Sequence, residues 1–331
     1  MERYRAFRVH RGEDKTISGR LEELELQPPE PGEVVVDAAW SGINFKDALA
    51  ATGKGAILRS FPLVAGIDVA GVVAASADER YKPGDQVLVT GCGMGESRDG
   101  GFAEKVRVPG DWLVPLPEQV SLQEAMILGT AGFTAAICVH RLEANGQTPE
   151  MGQMVVTGAS GGVGMIATAM LGSLGYEVLA VSGKPEQHGF LRELGATETI
   201  TPEDLALKPA AMGSVRFGGA IDNVGGGVLD GLIPAINLWG SVAAVGMAGG
   251  HQFSAAVYPF ILRGVSLLGI SSANCPRPLR LALWERIGRD LKPATLGRIH
   301  TRTVPLTEIA GAFDGMMDRR TFGRTLVDCR A

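Results

Sequence analysis

Cysteine is scarce in this chain, and the four present (Cys92, Cys138, Cys275, Cys329) never form a C-x-x-C pair. That spacing excludes a zinc knuckle and offers no disulfide framework. Runs of like charge are missing as well. The 331 residues carry 31 basic and 36 acidic side chains, a net charge of −5, and no basic run exceeds a few residues. Nucleic-acid binding therefore has no electrostatic footprint. No uninterrupted apolar stretch approaches the length of a membrane span, and Met1-Glu2-Arg3-Tyr4-Arg5 lacks the apolar centre of a signal peptide. No internal repeat or low-complexity tract stands out. The expectation is a reduced, cytoplasmic protein with no membrane association. With 45% hydrophobic and 20% charged residues the chain reads as globular, and it is long enough for two domains.

Glycine, by contrast, is abundant: 46 residues, recurring at turns between apolar runs. Three of them set the central motif, Val155-Val156-Thr157-Gly158-Ala159-Ser160-Gly161-Gly162-Val163-Gly164. An apolar run leads into glycines at 158, 161 and 164. Val163, Ile166, Ala167, Met170, Leu171 and Leu174 then follow at the spacing of one helix face. Strand, glycine turn and helix together are the context in which such a motif binds a dinucleotide. Gly158 permits the tight turn, Gly161 lets backbone approach a pyrophosphate, and Gly164 lets the helix pack on the strand. Ser160, Gly161, Gly162 and Val163 face the phosphates at a helix N-terminus. The next strand, Glu177–Val181, lacks the acidic residue that binds a ribose 2′-hydroxyl in NAD-preferring sites. Ser182-Gly183-Lys184 stands there instead. A hydroxyl, a glycine and a cation suit a 2′-phosphate that a carboxylate would repel, so the expected cofactor is NADPH.

The segment up to about residue 125 reads as β-rich. A strand over Glu33–Trp40 follows the Pro28–Gly32 turn, Leu63–Val73 forms a bent pair, and a strand follows the Lys82-Pro83-Gly84-Asp85 turn. Gly101–Val108 repeats that rhythm, and short glycine-broken strands suggest a barrel-like domain. Ser121-Leu122-Gln123-Glu124 is a capping box that opens a helix to about Ile127, with another beginning near Thr130. From 150 to about 270 apolar strands alternate with helices: Met154–Thr157, Glu177–Val181, Gly219–Asn223, Ser241–Gly246 and Ser266–Ile270. That is the pattern of a doubly wound parallel sheet. Pro278–Asp290 reads as helical, and Gly323–Asp328 returns as a short tail.

A β-rich first part, a Rossmann middle and a short return resemble the medium-chain dehydrogenase/reductase superfamily. The pieces that carry the resemblance include Lys82–Val87, Gly158–Gly164, Leu194-Gly195-Ala196 and Gly219–Gly225. It implies an α/β fold, with a GroES-like catalytic domain over 1–125, an NADPH-binding Rossmann domain over 126–270, and 271–331 completing the catalytic domain. Zinc enzymes of the superfamily carry a cysteine ligand after the first long strand and a Gly-His-Glu triplet later. Asn44 and Ile67 occupy those positions here, and the four-cysteine lobe is absent. No metal is therefore expected, because the thiolate and imidazole that hold catalytic zinc are missing.

Within the metal-free branch, several stretches resemble the bacterial YhdH/YhfP-type group, whose characterised function is acrylyl-CoA reduction. They are Asn44–Ala50, Thr52–Gly55, Gly110–Val114, Gly129–Ala135, Val156–Gly164 and Pro259–Gly264. The resemblance implies hydride transfer from NADPH to the β-carbon of an acyl-CoA thioester, with donors to polarise the carbonyl. It points to Asn44 as an amide donor and to Asp47 as a carboxylate orienting Lys46 or a water, with cap and turn roles equally open for Asp47. Phe45, Met247, Ile261 and Ser272 match cofactor contacts of the family, and core packing stays open for Met247 and Ile261. Arg59, Arg98, Arg277, Arg280 and Arg298 are the cations available for CoA phosphates. A homodimer through Ser266–Ile270 is implied. A quinone or enone reductase and a catalytically idle NADPH-binding sensor are the alternatives.

Overall fold

The structure, a computed structural model, describes residues 2–318 and 320–331. They divide into two units. One runs up to Phe133 and takes back Ser272–Asp290 and Gly297–Ala331; the other is Thr134–Ser271 with Leu291–Leu296.

The first unit opens with two strands that the sequence pattern did not single out. β1 (Arg3–Arg11) and β2 (Ile17–Glu25) form an antiparallel hairpin with Phe7 opposite Leu21. Charged residues interleave their apolar positions, which hid them. β3 (Glu33–Gly42) is the central strand and is buried along nearly its whole length. Its Val34-Val35-Val36 run suits a position with neighbours on both faces. β4 (Leu63–Val64) joins β1, while β5 (Asp68–Ser76), β6 (Gln86–Thr90), β7 (Lys105–Pro109) and β8 (Val114–Pro115) extend from β3. Val36 faces Val73 of β5 on one side and Val106 of β7 on the other. In the turn before β6 the Asp85 carboxylate accepts the Lys82 N–H at 2.9 Å, as a Pro-Gly-Asp turn would arrange.

α1 (Phe45–Ala51) follows β3, and α2 (Leu122–Ala144) closes this part of the chain. The Ser121 hydroxyl accepts the Glu124 N–H at 3.1 Å and Glu124 reaches back to the Ser121 N–H at 2.9 Å, the expected capping box. Gly129 (φ 50°, ψ −153°) breaks α2 where the sequence places a gap between two helices. α2 also reaches the length and apolarity of a membrane span, contrary to the reading of apolar runs above. Its most apolar window is 78% buried inside the fold, as in a core helix.

The second unit is a six-stranded parallel sheet. β9 (Met154–Thr157), β10 (Val178–Val181), β11 (Glu198–Ile200), β12 (Gly219–Asp222), β13 (Ser241–Ala244) and β14 (Ser266–Gly269) lie in the order β11-β10-β9-β12-β13-β14. The expected strands are present within two residues at their ends, and β11 is the addition. Its Glu198-Thr199-Ile200 is short and half polar, too little for an apolar-run reading. Val155 pairs with Leu179 on one side and Ala220 on the other, so the strand order reverses at β9. α3 (Gly162–Ser173) leaves β9, and α4 (His188–Leu194) follows β10.

The return contains helix Arg277–Arg286, then β15 (His300–Pro305) and β16 (Arg324–Asp328). β16 pairs antiparallel with β3, Leu326 opposite Gly42, and completes a seven-stranded sheet of the first unit. Its core joins Val34, Val36, Val69, Val87, Phe102 and Phe313.

Candidate active site

The glycine turn sits at the carboxyl end of β9, where the strand order reverses and ligands collect in open α/β sheets. Gly158 has φ +59°, which a side chain disfavours. A Cβ at Gly164 would stand 2.4 Å from the Gly158 carbonyl oxygen, so only glycine permits α3 to approach this closely. Gly161 caps α3, and no side chain occupies that cap. The first N–H groups of the helix are thus open to an anion. Ser160, Gly162 and Val163 are half-buried around it and Gly161 is exposed. These residues fit a dinucleotide pyrophosphate.

A support for this turn was not read from the sequence. Asp222, without exposed surface, accepts from the Thr157 hydroxyl at 2.6 Å and from the Gly225 N–H at 2.9 Å. Asn223 donates to the Thr157 carbonyl at 2.8 Å. The ends of β9 and β12 are thereby locked side by side. The signal available was Asp222-Asn223 at the end of an apolar strand.

Ser182, Gly183 and Lys184 lie at the carboxyl end of β10, next to β9. The Ala159 N–H donates to the Val181 carbonyl at 3.0 Å, which ties the two turns together. Ser182 is only 1% exposed, and its hydroxyl accepts the Lys184 N–H at 3.1 Å. It shapes the turn from within. Gly183 is exposed and Lys184 half-buried.

In the first unit Asn44 and Asp47 belong to a buried network. The Asp47 carboxylate, 1% exposed, accepts the Asn44 N–H at 2.8 Å, as an N3 carboxylate of α1 would, and the Ile67 N–H at 3.0 Å. The Asn44 amide donates to Asp68 at 2.7 Å and to the Gly42 carbonyl at 3.2 Å, and accepts from Arg324 at 3.0 Å. Asp68 also accepts the Thr130 N–H at 2.9 Å and its hydroxyl, with the Arg324 guanidinium 3.9 Å away. Arg324 further donates to the Ile43 and Ile127 carbonyls. Both amide hydrogens of Asn44 are thus spent inside the fold, and Lys46 pairs with Glu96, not with Asp47. These contacts place Asn44 at the N-cap of α1 and Asp47 at N3, so the cap role left open for Asp47 is present in the fold.

Burial pushes both carboxyls above the ordinary range. In Asp68 the neighbouring Arg324 and Thr130 work against that rise. Asp47 faces the Asp68 charge as well and is pushed up to about 7. Burial draws Arg324 down, with the two carboxylates opposing. Asp68 and Arg324 escaped the sequence reading because their partners come from four distant segments.

Phe45 is 54% exposed on α1, Met247 71% exposed after β13, and Ile261 69% exposed in helix Tyr258–Arg263, so core packing does not apply to the last two. The Ser272 carbonyl accepts from Arg280 at 2.8 Å. Arg280 is itself buried and also holds the Thr90 carbonyl at 2.7 Å; Arg277 donates to the Leu113 carbonyl at 2.7 Å, and Arg98 pairs with Glu33. Those three arginines are paired within the first unit, while Arg59 and Arg298 lie at the surface. Among the described residues, no three His, Cys, Asp or Glu side chains stand together as a metal set.

Residues 30–118 match the alcohol dehydrogenase GroES-like domain, and residues 162–286 match the family described as zinc-binding dehydrogenase. The chain is 51% identical over 316 residues to the Bacillus subtilis protein named “Putative quinone oxidoreductase YhfP”, covering 95% of this chain and 93% of that one. A solved structure of that organism's yhfP, with NAD bound, superposes with a TM-score of 0.96 over 99% of this chain and 100% of its own, at 46% identity. Acrylyl-CoA reductase AcuI of Ruegeria pomeroyi is 44% identical over 94% of both chains. The yhdH oxidoreductase of Salmonella enterica, solved with NADP, is 44% identical, with a TM-score of 0.93 over 98% of this chain and 99% of its own.

Proposed function

This chain belongs to the medium-chain dehydrogenase/reductase superfamily, in its YhdH/YhfP-type group, and from that membership we propose that it is an NADPH-dependent acrylyl-CoA reductase. The observation that carries the cofactor half is the pair of adjoining turns at the ends of β9 and β10. One offers an uncapped helix N-terminus to a pyrophosphate. The other has Lys184 where an NAD site carries a carboxylate.

When bound, NADPH supplies a hydride for the β-carbon of the unsaturated thioester. The chain's own part is to bind and orient. Asp222, Thr157 and Asn223 fix the glycine turn, and Ser182 fixes the turn that carries Lys184. Asn44 and Asp47, held by Asp68 and Arg324, fix α1 and with it the exposed Phe45 ring. The proton for the α-carbon is assigned to water. The acyl-CoA acceptor rests on the relative named acrylyl-CoA reductase; the name carried by YhfP favours a quinone acceptor as the second reading.

NADPH consumption with acrylyl-CoA, and separately with 1,4-benzoquinone, separates the two. Fast turnover on acrylyl-CoA with weak quinone activity is expected. The reverse would overturn the thioester reading and leave the cofactor intact.

We also assign a homodimer through β14, the edge strand of the parallel sheet. An edge strand offers unpaired backbone groups to a second copy. Trp239, Val257 and Leu262 are 72%, 64% and 62% exposed in the same unit. Size-exclusion chromatography with light scattering should give twice the chain mass, and a monomer would contradict it.

A further inference from the structure

The turn that follows β10 is held by a side chain from outside it. Ser182 has all three of its polar groups engaged. Its N–H donates to the Ile200 carbonyl at 3.0 Å, its hydroxyl accepts the Lys184 N–H at 3.1 Å, and its carbonyl lies 3.0 Å from His188 Nε2. A carbonyl oxygen can only accept, so Nε2 carries the hydrogen of that bond. His188 is half-buried at the start of α4, four residues past Lys184, and no role assigned above involves it.

The consequence follows from the planarity of the peptide unit. In a trans peptide the C=O of one residue and the N–H of the next point in opposite directions within one rigid plane. By drawing the Ser182 carbonyl toward its ring, His188 turns the Gly183 N–H the other way. Gly183 is exposed, and the Lys184 side chain rises from the next residue. A backbone donor is thus turned outward one residue before Lys184, at the position that, in this sheet, meets the 2′ substituent of the adenosine ribose. A phosphate dianion gains more from such a donor than a hydroxyl does, because the hydrogen bond is charge-assisted.

We propose that His188 is a specificity-determining positioning residue, which selects NADPH over NADH by holding the Ser182 carbonyl and so aiming the Gly183 N–H at the 2′-phosphate. This rests on the reading of Ser182–Lys184 as the 2′-phosphate turn, and the test separates the two. Dissociation constants for NADPH and NADH are measured by fluorescence titration on the full-length protein and on His188→Phe, His188→Gln and Lys184→Ala. His188→Phe keeps a ring but loses the donor. It should weaken NADPH by roughly tenfold, the loss of about one charge-assisted hydrogen bond, and leave NADH and the saturated kcat unchanged. His188→Gln, whose amide nitrogen reaches to nearly the same place, should restore most of the preference.

Equal weakening of both nucleotides in His188→Phe, or none, overturns the role of His188 when Lys184→Ala still weakens NADPH selectively. Equal losses in Lys184→Ala overturn the 2′-phosphate reading itself. Should His188→Phe not fold, judged by circular dichroism, the contrast between His188→Gln and the shorter His188→Asn decides. Selectivity kept in Gln and lost in Asn supports the assignment, and equal selectivity in both overturns it.

Discussion

Asp68 and Asp222 are both carboxylates without exposed surface, one in each unit, and they are satisfied in opposite ways. Asp222 ends β12 and takes the N–H groups of Val224 and Gly225, two and three residues on, with one hydroxyl from β9. Asp68 begins β5 and takes its partners from Asn44, Thr130 and Arg324, each at least 24 residues away. The first is a turn written into a few consecutive residues. The second is an ionic hub that exists only after β3, β5, α2 and β16 have met. Local networks fix a binding loop cheaply, whereas the hub makes the first unit depend on its own C-terminal strand.

The comparison breaks most sharply at Arg324. Arg324→Met removes the guanidinium that faces Asp68 and leaves a buried charge unpaired, which should cost about 3–5 kcal/mol. Chemical denaturation measures it; a loss below about 1 kcal/mol would show that the hub is not ionic. A cavity cannot mimic the effect, since methionine fills similar volume.

The second prediction concerns pH. Asp47 holds its proton up to about 7 in the folded chain, well above its ordinary value of 3.8. The native state therefore binds a proton that the unfolded chain releases, and stability from this group is complete below about pH 4 and lost as pH rises to about 7. The decline amounts to at most about 4 kcal/mol at roughly 1.36 kcal/mol per pKa unit. Asp47→Asn should flatten that part of the stability profile. Parallel profiles for both proteins would show that burial does not hold a proton on Asp47.

The smallest effect belongs to the local network. Asp222→Asn replaces one acceptor by a donor, which faces the Gly225 N–H or, in the other amide orientation, the Thr157 hydroxyl and Val224 N–H, at a cost of about 1–3 kcal/mol. It should weaken nucleotide binding as well, because the glycine turn leans on that bond. Thermal unfolding and nucleotide titration check both halves, and unchanged binding would confine Asp222 to stability.

The same contrast explains what could be read from the chain. The parallel sheet was legible because Met154–Thr157, Gly219–Asp222 and Ser266–Gly269 are apolar runs bounded by glycine or polar punctuation, and the Gly158–Gly164 spacing states its own geometry. The Ser121–Glu124 cap and the break at Gly129 were equally local. β1 and β2 were not, since Arg, Glu and His alternate with their apolar side chains. Asn44, Phe45 and Asp47 were legible, and so was a cap role for Asp47; the buried partners of the Asn44 amide were not. Whether an amide faces a ligand or a buried Asp68 depends on where residue 324 ends up, and no spacing rule links 44 to 324. Gly42 shows the same dependence: a Cβ there would stand 2.8 Å from Arg324 Nη2, a constraint invisible without β16 beside β3.

Nucleotide preference in the unmodified protein is the most direct test of the paired turns. Titrating NADPH and NADH into the wild-type chain at equal ionic strength should give a dissociation constant for NADPH at least about tenfold lower, the worth of roughly one charge-assisted contact near 1.4 kcal/mol. Equal affinities, or tighter binding of NADH, would contradict the assignment of Ser182–Lys184 and with it the NADPH-dependent function.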